Sequence, residues 1–453
     1  MTFNEEMLLQ RLADLEDGYS VARYIVAFSG GLDSTVLLHA LCRTRERHAS
    51  PLVALHVNHD LHPDSSSWEQ HCRRVAQKLE VEYLGRTVAV RKRAAGLEAA
   101  AREARYEALG AEMQENDVVL SAHHEEDQAE TLLLNLMRGS GLAGLAGIGA
   151  RQPFGPGLLI RPLLDVSRQA IERYARELGL EWIEDPANVD LRFDRNYLRR
   201  EILPRLRTHW PAVSSRLRRS AELAAESAAL QDDLAKLDLG PLVAASGAAD
   251  RLDIPGLRRL PAARQRNVLR YAIKNCGLPP APSSRLAQVL AELLPARSDA
   301  QPLVRWHGGE VRRYRQKLYL LPETEALSHK PVLPQRMLST GGPLDLGRFG
   351  RLPLGTLQLE GGDSVGIDPV LANCGLEVRF RRGGEKIRPF GRDATRPLKK
   401  LLQEAGVVPW MRQWVPLLFA GEALVAVGDL WIAADCARDA GFVVRWDQKP
   451  SIF

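Results

Sequence analysis

The feature that most constrains this chain is a six-residue turn, Ser29-Gly30-Gly31-Leu32-Asp33-Ser34. It follows an apolar, strand-favouring run, Tyr24-Ile25-Val26-Ala27-Phe28, and leads into Thr35-Val36-Leu37-Leu38-His39-Ala40-Leu41, which reads as the start of a buried helix. A Ser/Gly-rich turn between strand and helix presents backbone N–H groups, and the helix dipole adds partial positive charge there. Two glycines let the backbone come close to a phosphate. No Gly-Lys-Ser/Thr follows, so this is not a Walker loop and the γ-phosphate is not the obvious target. Taken alone, the turn also fits an ordinary Gly-Gly bend with a capping serine.

The strand–helix rhythm continues. A first helix is capped by Asn4, carries Leu8, Leu12 and Leu15 on one face and stops at Gly18. After the strand at 24–28, helices are expected at 34–45, 66–79, 97–114 and 125–137, and strands at 52–58, 81–90 and 117–121. This predicts a parallel sheet with helices on both faces. Ligands then bind beyond the carboxyl ends of the strands.

Two further strand ends run into polar clusters. His56-Val57-Asn58-His59-Asp60 follows the second strand, and His123-His124-Glu125-Glu126-Asp127-Gln128-Ala129-Glu130 follows the fourth. On a helix, His123, Asp127 and Glu130 fall at i, i+4 and i+7 and share a face suited to a divalent metal or an ammonium group. Plainer readings are a solvated strand end and a charged first turn that complements the helix dipole. The order HExxH is absent, so a zinc-protease site is a poor fit.

Beyond Arg138, five glycines between 139 and 149 disfavour a stable helix and suggest a flexible connection or a mobile segment near the site. A strand at 159–164, a helix from Asp165 or Ser167 to 178 and a loop at 182–190 follow. Residues 192–219 then hold nine arginines against two acids, with Phe193, Tyr197 and Trp210 interleaved. Such a run suits either a solvated face or an RNA backbone with unstacked bases.

A helix at 221–237 connects to a separate small domain at about 252–321. It has helices at 262–275 and 284–294 and a hairpin of 303–306 and 311–321, whose second strand carries Arg312, Arg313, Arg315 and Lys317. Residues 331–375 read as small β structure. Residues 379–400 hold nine basic side chains against Glu385 and Asp393, ahead of Trp410, Trp414 and Trp431. This density favours nucleic-acid contact.

The 453 residues carry a net charge of +5, mildly basic. Five scattered cysteines without a CxxC pair disfavour a zinc ribbon or a cysteine-held cluster and fit a reducing cytoplasm. No signal layout or membrane span is read.

The turn resembles the signature of the PP-loop ATP pyrophosphatases (N-type), which split ATP between the α and β phosphates. Several strings together are similar to the tRNA(Ile)-lysidine synthetase family within it: SGGLDS, HVNHDL, EAAAREARYEAL, AHHEEDQAETLLLNLMRGSGLAGLAGI, RPLLDVSR, DPANVDLRFDRNYLRREILP, VRFRRGGEKIRPFGR, LKKLLQEAGVVPWMRQWVPLL and VGDLWI. The likeness is strong over about 25–204, good over 377–432 and weaker between. Ala187 departs from the serine expected in the DP-S-N string.

The resemblance implies an α/β fold with a Rossmann-like parallel-sheet PP-loop domain at 1–215. A mainly helical connector and small tRNA-contacting domain follows at 216–325, and a small basic α+β tRNA-binding domain at 326–453. It implies that ATP adenylates the carbonyl oxygen at carbon 2 of the wobble cytidine in a tRNA(Ile) with a CAU anticodon. Free L-lysine then attacks that carbon, giving lysidine and AMP after diphosphate release, and codon and amino-acid specificity change from methionine to isoleucine.

The implied cofactors are ATP and Mg²⁺. ATP falls to Ser29, Gly30, Gly31, Leu32, Asp33, Ser34, His56, Asn58 and Arg138, and the metal to Asp33 and Asp127. Asp33, His123, Asp127 and Glu130 are the catalytic candidates; whether Asp127 and Glu130 serve metal or lysine stays open. For tRNA the candidates are Arg195, Asn196, Arg199, Arg200, Arg205, Arg381, Arg382, Lys386, Arg388, Lys399 and Lys400. A cytoplasmic enzyme without membrane contact is expected, as monomer or homodimer. Alternatives are a tRNA thiolase, a small-molecule amidotransferase or synthetase, and an RNA-binding module with an inactive ATPase core.

Overall fold

The computed structural model describes residues 3–48, 50–90, 97–297, 300–323, 336–349 and 352–450. The chain divides into two units, Met1–Leu230 and Gln231–Phe453.

The first unit alternates as the sequence predicts. Helix α1 (Glu5–Glu16) precedes β1 (Tyr24–Ala27), α2 (Leu32–Arg43), β2 (Leu52–Asn58), α3 (Ser65–Lys78), β3 (Glu82–Thr87), α4 (Leu97–Ala111), β4 (Val118–Leu120) and α5 (Glu125–Met137). A one-turn α6 (Leu142–Leu145), β5 (Arg151–Phe154), β6 (Gly157–Ile160), α7 (Arg168–Glu177), α8 (Asp194–Tyr197), a π-type turn over Leu198–Ile202, α9 (Leu203–His209) and α10 (Val213–Ser246) follow.

The sheet order is β3-β2-β1-β4-β6-β5, parallel except for the β5–β6 pair. The chain winds outward from β1 to β3 and then returns to place β4 on the other side of β1. The order reverses between β1 and β4, so their carboxyl ends flank the crevice where open α/β sheets bind ligands. In register, Val26 pairs with Ala54 on one side and Leu120 on the other.

Central strands covered on both faces need apolar residues at every position rather than in alternation. Ile25, Val26, Val118, Val119 and Leu120 are all fully buried. Leu37, Leu38 and Leu41 of α2 pack on one side, and Leu109 and Met113 lie with Ile25 and Val119 on the other. Fully burying each such side chain contributes about 1.5–3 kcal/mol. The Asn4 side chain caps α1 by accepting from the Met7 amide, and Ser167 caps α7 by accepting from the Ala170 amide.

Two expectations change. The strand read at 159–164 starts earlier and ends at Ile160, because Arg161 leaves the ladder and donates to the Gly149 carbonyl. The preceding antiparallel strand β5 carries no clear alternation signal. The glycine-rich segment is tied down: the Gln128 side chain bonds the Ala146 and Ile148 carbonyls and the Ile148 amide, and Asn135 bonds the Gly144 carbonyl. A Cβ on Gly147 would lie 2.4 Å from the Gln128 Oε1, so glycine there permits this close approach.

In the second unit, β7 (Arg251–Asp253), α11 (Ile254–Arg259), α12 (Ala262–Asn275), α13 (Ser283–Gln288), β8 (Leu303–Trp306), β9 (Gly309–Tyr314) and β10 (Lys317–Pro322) build a four-stranded antiparallel sheet of order β7-β10-β9-β8 under helices. The segment expected as one strand at 311–321 is two, because the chain reverses at Arg315, whose φ is +54°. No Gly, Asn or Pro announces that turn. Its basic residues are not a free basic face. Arg312 pairs with the fully buried Glu310, and Arg313 donates to the Leu293 and Leu294 carbonyls.

Further along lie two five-stranded sheets and a helix, Leu398–Glu404. Trp410, Trp414 and Trp446 are buried in their shared core. The domain boundary expected at 325/326 lies outside the described residues. No helix among the described residues is long and apolar enough to cross a membrane.

Leu120→Ala removes a fully buried side chain at the switch point. It should lower unfolding free energy by about 2–5 kcal/mol, read from the urea midpoint at unchanged m-value.

Candidate active site

The turn after β1 is built to leave donors open. Gly31 is the N-cap of α2, and the first-turn amides of Leu32, Asp33 and Ser34 have no preceding helical carbonyls to bond. The Ser29 hydroxyl accepts from the Gly31 amide at 3.3 Å and lies 3.1 Å from the Ser34 hydroxyl, which donates to the Gly31 carbonyl at 3.1 Å. Leu32 points inward and joins the core. Gly30 has φ +79°, and a Cβ there would sit 2.7 Å from both the Cys72 sulfur and Ile183 Cδ1. Its carbonyl accepts from the Ile183 amide at 2.8 Å. The loop is therefore clamped from beneath by α3 and by the segment after α7.

On the β2 side, the buried His56 ring bonds the Phe28 carbonyl through Nδ1 at 2.9 Å, which braces the end of β1. Burial pushes its pKa below the usual histidine range. Asn58 is spent locally, donating to Glu69 and accepting from the Asp60 amide. His59 Nε2 lies 3.4 Å from Arg105 Nε, and burial together with Arg105 pushes its pKa down to about 4.

On the β4 side the sequence brings together a dense charge cluster. His124 is the N-cap of α5, and its backbone amide donates to Asp127 Oδ2 at 3.0 Å. Its ring lies 3.5 Å from Asp127 and 3.7 Å from Asp33 through Nε2, and 3.2 Å from the Glu126 carboxylate through Nδ1. Burial opposes a charge on this ring, but Asp127, Glu126 and Asp33 outweigh it and raise the pKa to about 9. Nδ1 caps the helix by accepting from the Glu126 amide at 3.2 Å when the ring is neutral, and turns to donating to the Glu126 carboxylate, also at 3.2 Å, when the ring is charged. His123 behaves oppositely. Burial outweighs the attraction of Asp127 and pushes its pKa down to about 3, so the ring is neutral; Nδ1 lies 2.7 Å from the Ser121 hydroxyl.

Asp127 and Glu130 do share a face of α5, and two arginines fill it. Arg199 lies 2.6 and 2.9 Å from the two Glu130 oxygens and 3.0 Å from Asp127 Oδ1. Arg195 lies 2.9 Å from Glu130 Oε2 and 3.7 Å from Asp127 Oδ1. Glu130 has no exposed surface. Burial works against the Asp127 charge, yet the charged His124, Arg195 and Arg199 hold its pKa well below the usual carboxylate range.

Asp33 differs. Burial raises its pKa despite His124 and Arg168, and its Oδ1 is buried with no hydrogen-bond partner among the described residues. Arg168 Nη1 is 3.9 Å from its other oxygen.

Of the residues expected at the site, Ser29 to Ser34, His56, His123, Asp127, Glu130, Arg195 and Arg199 lie at or beside the carboxyl ends of β1, β2 and β4. Arg138 stands exposed at the far end of α5. Asn196 is buried and donates to the Asp190 carbonyl, whereas Arg200 and Arg205 are exposed, Arg205 beside Glu201. In the second unit Lys386, Lys399, Lys400 and Arg382 are exposed, Arg381 pairs with Glu385 and Arg388 with Asp435.

The sequence did not single out His124, Arg168, Arg105, Cys72 or Ile183. The doubled His-His and the arginines inside EAAAREARYEAL and RPLLDVSR were the available signals. Cys72 and Ile183 have none, since their part is only to fill space beneath Gly30.

A phosphate-ready helix start at the switch point of a parallel sheet, faced by a charged helix start, defines an ATP-binding α/β enzyme, and the PP-loop domain family matches residues 4–206. The chain is an ATP-dependent ligase of the PP-loop class. The TilS substrate binding domain matches 252–319 and the TilS substrate C-terminal domain 376–446.

The chain is 40% identical to a tRNA(Ile)-lysidine synthase of Coxiella burnetii, over 94% of this chain and 92% of that one. It is 43% identical to that of Alkalilimnicola ehrlichii, over 92% of each, and 40% identical to that of Pseudomonas aeruginosa, over 98% and 96%. It belongs to the tRNA(Ile)-lysidine synthase family.

Two outcomes test the geometry. Gly30→Ala adds a Cβ against Cys72 and Ile183 at a left-handed backbone position. Displacing the loop by about 1 Å should slow ATP-dependent AMP formation about a hundredfold, measured by AMP release. For His124, the folded pKa of about 9 lies above the ordinary 6.5. Its stabilisation is fully present below 6.5 and is lost as pH rises through 9. Urea midpoints across that window should fall in the parent chain and fall less steeply in His124→Gln.

Proposed function

We propose that this chain joins free L-lysine to carbon 2 of the wobble cytidine of a tRNA(Ile) bearing a CAU anticodon, through an adenylated tRNA, releasing diphosphate and then AMP. The observation that carries this reading is the first-turn amides of α2, without helical carbonyls to bond, facing the Asp33–His124–Asp127 cluster, in a chain of this family.

A cytosine carbonyl oxygen leaves poorly, and joining it to AMP makes it a good leaving group. The Leu32, Asp33 and Ser34 amides, the exposed Ser29 hydroxyl and the α2 dipole face the negative charge that builds on departing diphosphate, with the Ser34 hydroxyl bracing the turn through the Gly31 carbonyl. Removing one such donor typically costs 10²–10³ in rate. The charged His124 neutralises Asp33 and Asp127, so the acids do not repel the phosphates.

Mg²⁺ fits here in the way that ion is usually held, by one or two carboxylates with substrate phosphates completing its shell. Among the described residues no group of three or more His, Cys, Asp or Glu is set to hold a metal alone. Asp33 Oδ1, buried and without a hydrogen-bond partner among the described residues, is an oxygen that would join such a shell. Bound there, the ion would neutralise charge on the α and β phosphates.

Asp127 takes the lysine ammonium in this reading, while Glu130, buried with both oxygens on Arg199 and Arg195, holds those two guanidiniums in place beside it. A carboxylate held as low as Asp127 is a firm cation ligand and a weak base. Its main part is therefore to place the amine. The exposed Arg200, Arg205, Arg382, Lys386, Lys399 and Lys400 supply backbone contacts to tRNA. The three-domain division at 215 and 325 belongs to the same proposal, as does a cytoplasmic site of action.

Incubation with ATP, radiolabelled lysine and unmodified CAU tRNA(Ile) should place label in the tRNA, lost when the wobble cytidine is replaced. AMP formation without label transfer would overturn the reading. Asp127→Asn should abolish label transfer and keep tRNA affinity within about threefold, since no phosphate contact is removed; lost binding with retained turnover would refute the role given to Asp127.

A further inference from the structure

In the second unit a cleft of about 230 Å³ opens between Phe390 and Trp431, with Val365, Leu430, Ile432 and Asp429 around it. It is smaller than the ~300 Å³ at which pockets for whole drug-sized ligands begin, and so suits one planar ring.

Its aromatic walls are more open than the three core tryptophans of this unit. Trp410, Trp414 and Trp446 are 4–7% exposed, whereas Phe390 is 55% exposed and Trp431 half-buried. The main chain at Phe390 is held in place. Its amide donates to the Ile432 carbonyl at 2.8 Å, Pro389 bridges to Ala433, and the Ala434 amide donates to the Arg388 carbonyl at 2.8 Å. The residue is thus set beside the strand that carries Trp431.

The segment that carries Phe390 supplies cations: Lys386, Lys399 and Lys400 are exposed, whereas Arg388 pairs with Asp435 and Arg392 and Arg396 share Glu404. Within the cleft, Asp429 is the exception. Lys449 lies 2.5 Å from one of its oxygens and offsets its charge, which leaves a carboxylate able to accept from an exocyclic amine, as on cytosine or adenine.

An exposed aromatic inside a basic field is the arrangement that binds single-stranded nucleic acid: the ring stacks a base while cations hold the flanking phosphate. We propose that the cleft between Phe390 and Trp431 receives one unstacked nucleobase of the tRNA substrate, with its phosphate on the exposed lysines of 386–400. This rests on the tRNA reading above and adds to it a place where a single base is held.

The test is equilibrium binding of unmodified CAU tRNA(Ile) to the full chain, with steady-state lysine transfer alongside. Phe390→Ala should weaken tRNA binding about tenfold, the scale of one lost base–aromatic stack, and Phe390→Trp should restore it. The loss should fall on KM for tRNA and not on KM for ATP. The slope of log affinity against log salt should stay as in the parent for Phe390→Ala and drop by about one for Lys399→Gln, which removes a cation.

A tRNA trimmed of its unpaired 3′ nucleotides separates the sources. If trimming erases the difference between parent and Phe390→Ala, the base is at the 3′ end; if the difference persists, the base is an internal unpaired one. The proposal falls if Phe390→Ala binds tRNA as the parent does, or if Phe390→Trp is as weak as Phe390→Ala. It also falls if Phe390→Ala changes only sedimentation, which would make the cleft a contact between copies of the chain. A parent chain that binds no tRNA would instead refute the tRNA reading itself.

Discussion

The Glu130 side chain has no exposed surface, and much of the first unit is arranged around that fact. Taking a carboxylate out of water costs several kcal/mol unless the partners are well placed. Here two guanidiniums reach it, from Arg195 on α8 and Arg199 in the π-type turn that follows. Spaced four apart on one helical face, they reach one carboxylate together. The pairing fastens the segment after residue 194 to α5, and α5 in turn starts at His124 beside the phosphate-type loop. Removing either arginine leaves a buried charge short of a partner, so the same contact is structural and chemical.

The sheet was legible because its central strands are short apolar runs separated by helices with regular apolar spacing. Strand β2 and helix α5 fall where the spacing predicts, and the other early elements shift only at their ends. The turn at Arg315 and the edge strand β5 were not legible, because a left-handed non-glycine and a half-exposed strand leave no periodic mark. The site was legible as a set of strand ends, since a parallel sheet gathers its loops on one rim. Which charges would pair across that rim was not. Arg195 and Arg199 read as a basic run along the chain, and only the packing of α8 on α5 turns them toward carboxylates.

The same lesson holds in the second unit. Arg312 and Arg313 carry charge in a run that looks like a polyanion surface, yet their guanidiniums bond Glu310 and two backbone carbonyls. By contrast, Lys399 and Lys400 lie on the solvent face of a helix whose Leu398, Leu401 and Leu402 face the core. Charge density along a sequence does not distinguish the two cases. The periodicity of the apolar residues around each charge does.

The position of β4 beside β1 has a consequence in time. The loop at residue 30 and the histidine at 124 become neighbours only when β4 docks, and Glu130 is neutralised only when Arg195 and Arg199 arrive. Contacts so distant in sequence form late, after the entropy of closing the intervening chain has been met. On a ribosome, the first hundred residues can assemble β1 to β3 but not a nucleotide site. The candidate site closes only after about two hundred residues have emerged, when the segment that holds the arginines folds back onto α5.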